Sequence, residues 1–282
     1  MPELDLRPLS LGEILDRTFT LYRRNFLLFA GIIAIPQLMV LAFNLAQTFI
    51  KGVKEPNAPS AASASLGVAL IVVGLGSIIV YVVAYLFAHG GTVYAVSDLY
   101  LGRPTSIGAS LGRMRGQAGS LLGVLILNGL AMFAGLILLI IPGIYVGCRL
   151  STCVPAALLE NLGPRDSLER SFRLTKDNAG RAFVIYCLYA AIFYGLFLLL
   201  AFPFLIAFAM SAKNPGMARN WLALSQCGTS VATILVTPIF TIATTVFYYD
   251  LRVRKEAFDL QMMMNPNEAV APAPAALPSM LS

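Results

Sequence analysis

The stretch Glu13-Ile-Leu-Asp-Arg-Thr-Phe-Thr-Leu-Tyr-Arg-Arg-Asn25 returns 153 positions later as Asp166-Ser-Leu-Glu-Arg-Ser-Phe-Arg-Leu-Thr-Lys-Asp-Asn178, and a long apolar run follows each copy. Leu15/Leu168, Arg17/Arg170, Phe19/Phe172, Leu21/Leu174 and Asn25/Asn178 are identical. Glu13/Asp166, Asp16/Glu169, Thr18/Ser171 and Arg23/Lys176 keep the chemistry. Internal repetition constrains architecture before any function is considered. It predicts a unit consisting of an amphipathic helix followed by two membrane spans.

The composition agrees. Hydrophobic residues make up 58% of the chain and charged ones 12%, with a mean hydropathy of +0.77. A water-soluble domain carries about a quarter charged residues, so this chain lacks the polar surface for water. The net charge of +6 then reads as the basic collar of a membrane protein, with no nucleic-acid partner expected. Cys148, Cys153, Cys187 and Cys227 lie in or beside apolar runs without a C-x-x-C pair. They read as small buried hydrophobes. The polar opening shows no cleavable signal peptide.

Crossing the hydrocarbon core takes about 20 apolar residues. The spans are read at Phe26–Phe49, Leu66–Ala88, Gly119–Ile141, Ile144–Leu159, Ala182–Met210 and Gln226–Tyr249. Pro142-Gly143 is the expected reversal between the third and fourth. After the second span, His89-Gly90-Gly91 implies either a kink or a helix that projects past the bilayer. Arg7, Arg17, Arg23, Arg24, Arg103, Arg113, Arg115, Arg165, Arg170, Arg173, Lys176, Arg181, Arg252, Arg254 and Lys255 fall on one side of this topology, against Lys51, Lys54, Lys213 and Arg219 on the other. The positive-inside rule places both termini in the cytoplasm. The expected fold is an all-α polytopic bundle of six transmembrane helices with cytosolic interfacial helices. It forms one membrane domain over 1–258, with an Ala/Pro-rich tail over 259–282 and an external loop over Gly52–Ser65.

Ser10-x-x-Glu13 predicts a capping box. At about 100° per residue, Leu11, Ile14, Leu15, Thr18, Phe19 and Tyr22 share one face, opposite Glu13, Asp16, Arg17, Thr20, Arg23 and Arg24. The second copy gives the same wheel. Helices of this kind lie in the membrane interface. Ser106–Gln117 reads as a third, degenerate copy. Asp98-Leu99 and Asp250-Leu251 lie 152 apart at the ends of spans two and six, and Glu160 holds a similar place after span four. The repeat units are then about 10–100, 105–162 and 165–256, in a pseudo-threefold arrangement.

Three segments resemble a known family. Leu9-Ser-Leu-Gly-Glu-Ile-Leu-Asp-Arg-Thr-Phe-Thr-Leu-Tyr-Arg-Arg-Asn-Phe26, Ile141-Pro-Gly-Ile-Tyr-Val-Gly-Cys-Arg149 and Tyr248-Tyr-Asp-Leu-Arg-Val-Arg-Lys-Glu256 are similar to the glycerophosphoryl diester phosphodiesterase membrane domain. The resemblance implies a six-helix bundle in a bacterial inner membrane. It implies no settled activity, because the family name comes from members in which a catalytic barrel follows. None follows here before Ser282.

An enzymatic role is not expected. The sole histidine is His89, and metal-assisted phosphodiester chemistry needs clustered His and carboxylates. No catalytic, cofactor or metal site is assigned. The candidate anion- or lipid-contacting residues are Arg149, Arg17, Arg23, Arg24, Arg170 and Arg173. Asp98, Glu160 and Asp250 are candidate structural ion-pair partners for these arginines. Two readings of Arg149 stand. A charge within a span costs about 2.5–3.5 kcal/mol on insertion scales, so Arg149 either contacts an anion inside the bundle or snorkels to the outer interface near Pro142. Gln37, Asn44, Gln47, Asn128, Thr233, Thr241, Thr244 and Thr245 are polar residues within spans, which either glue helices or line a pathway. Three functions follow from these readings: a module that organises membrane lipid, a transporter or channel for a small or amphiphilic solute, or a partner of a separately encoded lipid phosphodiesterase or other membrane protein.

Overall fold

The structure, a computed structural model, describes residues 7–51, 60–211 and 213–256. The tail 259–282 lies outside these residues, as does the part of the expected loop Gly52–Ser65 up to position 59; from Ser60 onward that stretch is helical and opens α3, a correction to its reading as a loop. Within them the chain forms helices: α1 (Leu11–Arg24), α2 (Phe26–Lys51), α3 (Ser60–Tyr100), α4 (Ile107–Leu138), α5 (Ile140–Arg149), α6 (Cys153–Leu159), α7 (Pro164–Leu174), α8 (Ala179–Leu200), α9 (Phe202–Met210) and α10 (Pro215–Glu256). Six stretches are long and apolar enough to cross a membrane: Phe26–Phe49, Val73–Tyr100, Ile107–Ile137, Ile140–Leu159, Ala179–Leu200 and Pro215–Glu256.

The bundle turns apolar residues outward. Leu27, Ile79, Ile141, Leu199 and Met210 are largely exposed, a surface suited to lipid rather than water. Cys187 also lies exposed on α8, which corrects its reading as buried: α8 offers most of its circumference to the outside. Of the apolar window in α8 only 6% is buried, against 67% in α10. α10 is therefore the central post, packing on α1, α2, α3, α8 and α9. Its buried Thr237, Thr241, Thr244 and Thr245 belong to this core, and the last three hydroxyls return to carbonyls three or four residues back on their own helix. Such back-bonding satisfies a hydroxyl where no water is available. Pro238 lies inside α10, where it removes one backbone donor and opens the ladder. Tyr22 of α1 donates its hydroxyl to the carbonyl of Leu235 at 2.8 Å beside this opening.

α3 continues without a break through Gly90-Gly91 to Tyr100, as in the expected alternative of a helix that runs on past the second span. Three further sequence expectations need correction. The third polar stretch, Ser106–Gln117, is the opening of the continuous α4, capped by Ser106; no turn separates it from the span, unlike Asn25 after α1 or Thr175–Asn178 after α7. The reversal after α4 occurs at the extended Leu139. Pro142 and Gly143 lie in the first turn of α5, where a missing backbone donor costs nothing. A Cβ on Gly143 would stand 2.6 Å from Leu136 Cδ2, so the α4–α5 crossing needs glycine there. Finally, spans four and five are broken, at Leu150–Thr152 and at Ala201.

Candidate functional site

Charged side chains collect at one end of the bundle, the basic end, where α1, α6 and α7 meet the last turns of α3 and α10. α1 is set there by its capping box: Ser10 Oγ accepts from the Glu13 amide at 3.3 Å, and Glu13 Oε2 accepts from the Ser10 amide at 2.7 Å. These bonds, with the one from Arg7, hold the exposed Glu13 carboxyl down at about 2. Ile14 and Thr18 turn into the core, and burial raises the Tyr22 phenol above its ordinary value.

Two carboxylates anchor this end. Asp250, whose side chain is fully buried, accepts from the Leu9 amide at 2.7 Å, Arg181 Nη1 at 2.8 Å and Arg254 Nε at 3.0 Å. Arg181 and Arg254 also donate to the Leu9 carbonyl. One acidic residue thus ties the approach to α1, the start of α8 and the end of α10. The second anchor is Glu160, which accepts from Arg170 Nε at 2.9 Å and from the Tyr248 hydroxyl at 2.6 Å. The remaining Arg170 nitrogens clamp Glu256, with Nη2 at 2.7 Å from Oε2. Burial works against the Arg170 charge, but the hydrogen bonds to Glu256 and Glu160 outweigh it and lift its pKa above the ordinary arginine value. Asp98 is the lightest of the three acids: it pairs with Arg113 of α4 at 3.0 Å, and that arginine is 44% exposed.

The basic residues therefore divide. Arg170 is buried and its guanidinium is taken by carboxylates. Arg149 is held by groups of the protein itself. Its guanidinium donates to the Phe172 carbonyl, to Thr175 Oγ1 at 3.2 Å and to the Tyr145 hydroxyl at 2.8 Å. It closes the C-terminus of α7, where orphan carbonyls and the helix dipole favour a cation. Ser171 and Thr175 in turn donate, each at 2.8 Å, to the Arg149 carbonyl at the α5–α6 break. That break is thus supplied with donors from α7. Arg17 reaches the Tyr100 hydroxyl at 3.2 Å. Arg23, Arg24 and Arg173, with Lys176, are exposed and form no ion pair among the described residues.

Sequence reading did not single out Arg181, Arg254, Glu256 or Tyr248. The four-residue spacings Asp250/Arg254 and Arg252/Glu256 were a visible signal for two of them. Arg181 and Tyr248 meet their partners only through the fold.

A second feature lies nearer the opposite end. A cavity of about 510 Å³ sits among α2, α3, α8 and α10, and His89 and Gln37 are in its wall. A neighbouring cavity of about 520 Å³ shares Asn44, Leu222 and Gln226 with it and includes Arg219. His89 Nδ1 is 3.2 Å from Thr241 Oγ1, and its ring lies against Tyr85 with centroids 4.0 Å apart. Of the polar span residues, Gln37, Asn44, Gln47 and Thr233 reach one or other cavity and Asn128 does not. The chain matches no family model, no curated protein and no solved structure.

Proposed function

We propose that this chain is a non-enzymatic multi-pass protein of the bacterial inner membrane that binds anionic phospholipid at its basic end, with both termini cytoplasmic. The observation that carries the reading is the placement of the unspent cations. Arg23 and Arg24 end α1 directly before the exposed Phe26 and Leu27 that open α2. Arg173 in the last turn of α7 and Lys176 in the turn after it come shortly before the exposed Phe183 and Val184 of α8. Exposed cations at the edge of an exposed apolar belt are what a headgroup layer meets. On this reading α1 and α7 lie in the membrane interface.

The internal repeat belongs to the same proposal. It is supported by contacts between positions 152 apart, His89 with Thr241 and Ser97 with Tyr249, where α3 crosses α10. Membership of the glycerophosphoryl diester phosphodiesterase membrane domain family is proposed from the three motif segments. Two of them meet in space, since Leu9 is held by Asp250 and Arg254.

The test is lipid selectivity by native mass spectrometry after equilibration with equal phosphatidylglycerol and phosphatidylcholine. The wild type is expected to retain phosphatidylglycerol in a salt-sensitive manner. The variant Arg23→Gln/Arg24→Gln/Arg173→Gln/Lys176→Gln is expected to lose the preference, at about 1 kcal/mol per cation removed. Equal retention of both lipids by the wild type would overturn the reading. A second reading, passage of a small or amphiphilic solute, draws on the polar cavities between the spans.

A further inference from the structure

The polar groups that line these two adjoining cavities are more than helix glue. Side chains that only join helices spend their donors and acceptors on each other. Here two atoms remain unspent. Gln226 donates Nε2 to Thr48 Oγ1 at 2.9 Å, yet its Oε1 is buried with no partner. Arg219 Nε is likewise buried and unpartnered. Buried polar atoms are nearly always paired, so two orphans on the wall of one cavity mark a place where a partner belongs. Gln37 reaches Ser230 at a long 3.3 Å.

The arrangement follows from helix periodicity. On α10, Arg219, Gln226, Ser230, Thr233 and Thr237 recur at three-, four- or seven-residue steps and form one polar stripe. On α2, Gln37, Asn44 and Thr48 form the facing stripe. The charge balance is specific. Neither lining includes a carboxylate among the described residues, so the Arg219 cation lacks an acidic counterpart there and lies only over the Phe49 ring, at 5.0 Å from its centroid. A cation in such a setting attracts an anion. The opposite wall is aromatic, built from Tyr85, Tyr189 and Phe193. α10 packs on both α3 and α8, but α3 and α8 have no comparable packing on each other beside this wall.

We infer that the adjoining cavities form a binding site, separate from the basic end, for a molecule whose head combines one negative charge with hydroxyl or carbonyl groups. Arg219 takes the anion. Gln226, Asn44 and Gln37 take the hydrogen-bonding groups, and the aromatic wall takes the apolar remainder. The same head chemistry is available from a membrane lipid entering sideways or from a solute entering from the far end.

Trp221, the only tryptophan in the chain, stands between Arg219 and Leu222 and stacks on Phe204 with centroids 6.2 Å apart. It sits on the turn of α10 that carries Arg219 and Leu222 of the lining. The full chain in phosphatidylcholine nanodiscs is titrated with dihexanoylphosphatidylglycerol while Trp221 fluorescence is followed. A saturable change is expected, with no comparable change for dihexanoylphosphatidylcholine. Arg219→Gln and Gln226→Leu should each weaken it at least tenfold, and Asn44→Leu serves as a third variant should either fail to fold. The basic-end quadruple variant should bind as the wild type does, which separates this site from the lipid-binding reading above. Glycerol 1-phosphate that competes at equal concentration assigns the site to a solute; competition only at great excess assigns it to a lipid. No saturable change in the wild type, an equal response to phosphatidylcholine, or binding indifferent to every folded cavity variant would overturn the inference.

Discussion

Ser97 Oγ and Tyr249 OH stand 2.7 Å apart where α3 crosses α10, although 152 residues separate them. The Tyr249 ring also stacks on Tyr100, with centroids 4.9 Å apart. Under the proposed repeat, Ser97 and Tyr249 are equivalent positions, and so are His89 and Thr241.

Both hydroxyls are buried, and removing either one breaks the bond they share. Ser97→Ala and Tyr249→Phe should each cost about 0.5–1.5 kcal/mol, and the double variant less than the sum of the two. Thermal unfolding in detergent of the four proteins in the cycle measures this. Strict additivity would mean that the two hydroxyls are not coupled.

The acids of the basic end should rank by burial. Asp250 has a fully buried side chain, two arginine partners and a backbone amide. Asp250→Asn strips the counter-charge from Arg181 and Arg254, and about 3–5 kcal/mol is expected. Asp98 pairs with a 44% exposed arginine, and Asp98→Asn should cost about 0–1 kcal/mol. Melting temperatures of the two variants decide the ranking, and equal losses would refute it.

Gly228 meets the α8–α9 break at backbone distance. A Cβ there would lie 2.1 Å from the Leu200 carbonyl oxygen, whereas one on Gly195 would meet nothing within 4 Å. Gly228→Ala must push two helices apart, at about 1–3 kcal/mol or more. Gly195→Ala should be tolerated. Monodispersity on gel filtration and the melting temperature compare the pair.

The legible features were those set by local pattern. Apolar runs located the six candidate spans to within a turn or two at most ends, and Ser10-x-x-Glu13 announced its capping box. What escaped depends on which faces turn toward each other. Arg149 looked like an intramembrane charge near an outer turn, because nothing local says that Phe172 and Thr175 stand beside it. The breaks at Leu150–Thr152 and Ala201 were hidden because an apolar run reads alike whether or not the backbone stays helical. The cavity was visible only as scattered polar residues, since Gln37 and Asn44 lie on α2 and Gln226 on α10, and they become neighbours only through the packing of those two helices.

Tyr22 offers a direct measure of how much the α1–α10 contact contributes. Its hydroxyl satisfies the Leu235 carbonyl near Pro238. Tyr22→Phe removes one neutral hydrogen bond and nothing else, so a loss of about 1 kcal/mol is expected. In Pro238→Ala the regained N–H pairs with the Ile234 carbonyl and leaves Leu235 to its tyrosine, so Tyr22→Phe should cost about the same in that background. A cost that falls there would show that the tyrosine instead supports the ladder the proline opens.

Acid should loosen the start of α1 through one residue. Glu13 holds its proton more weakly in the fold than in the unfolded chain, with a folded pKa of about 2 against an ordinary 4.5, because the Ser10 amide and hydroxyl and the Arg7 guanidinium favour its charged form. A depressed carboxyl pKa stabilises the fold fully above the unfolded value, and the benefit fades as pH falls through the folded one. Wild type and Glu13→Gln should therefore differ most in melting temperature at pH 5 and above. The difference should shrink between about pH 4.5 and 2 and be gone below that. The neutral glutamine still reaches the Ser10 amide but forfeits the charge. A melting-temperature difference between the two proteins that stays constant from pH 6 to pH 2 would show that the capping box holds α1 by shape alone.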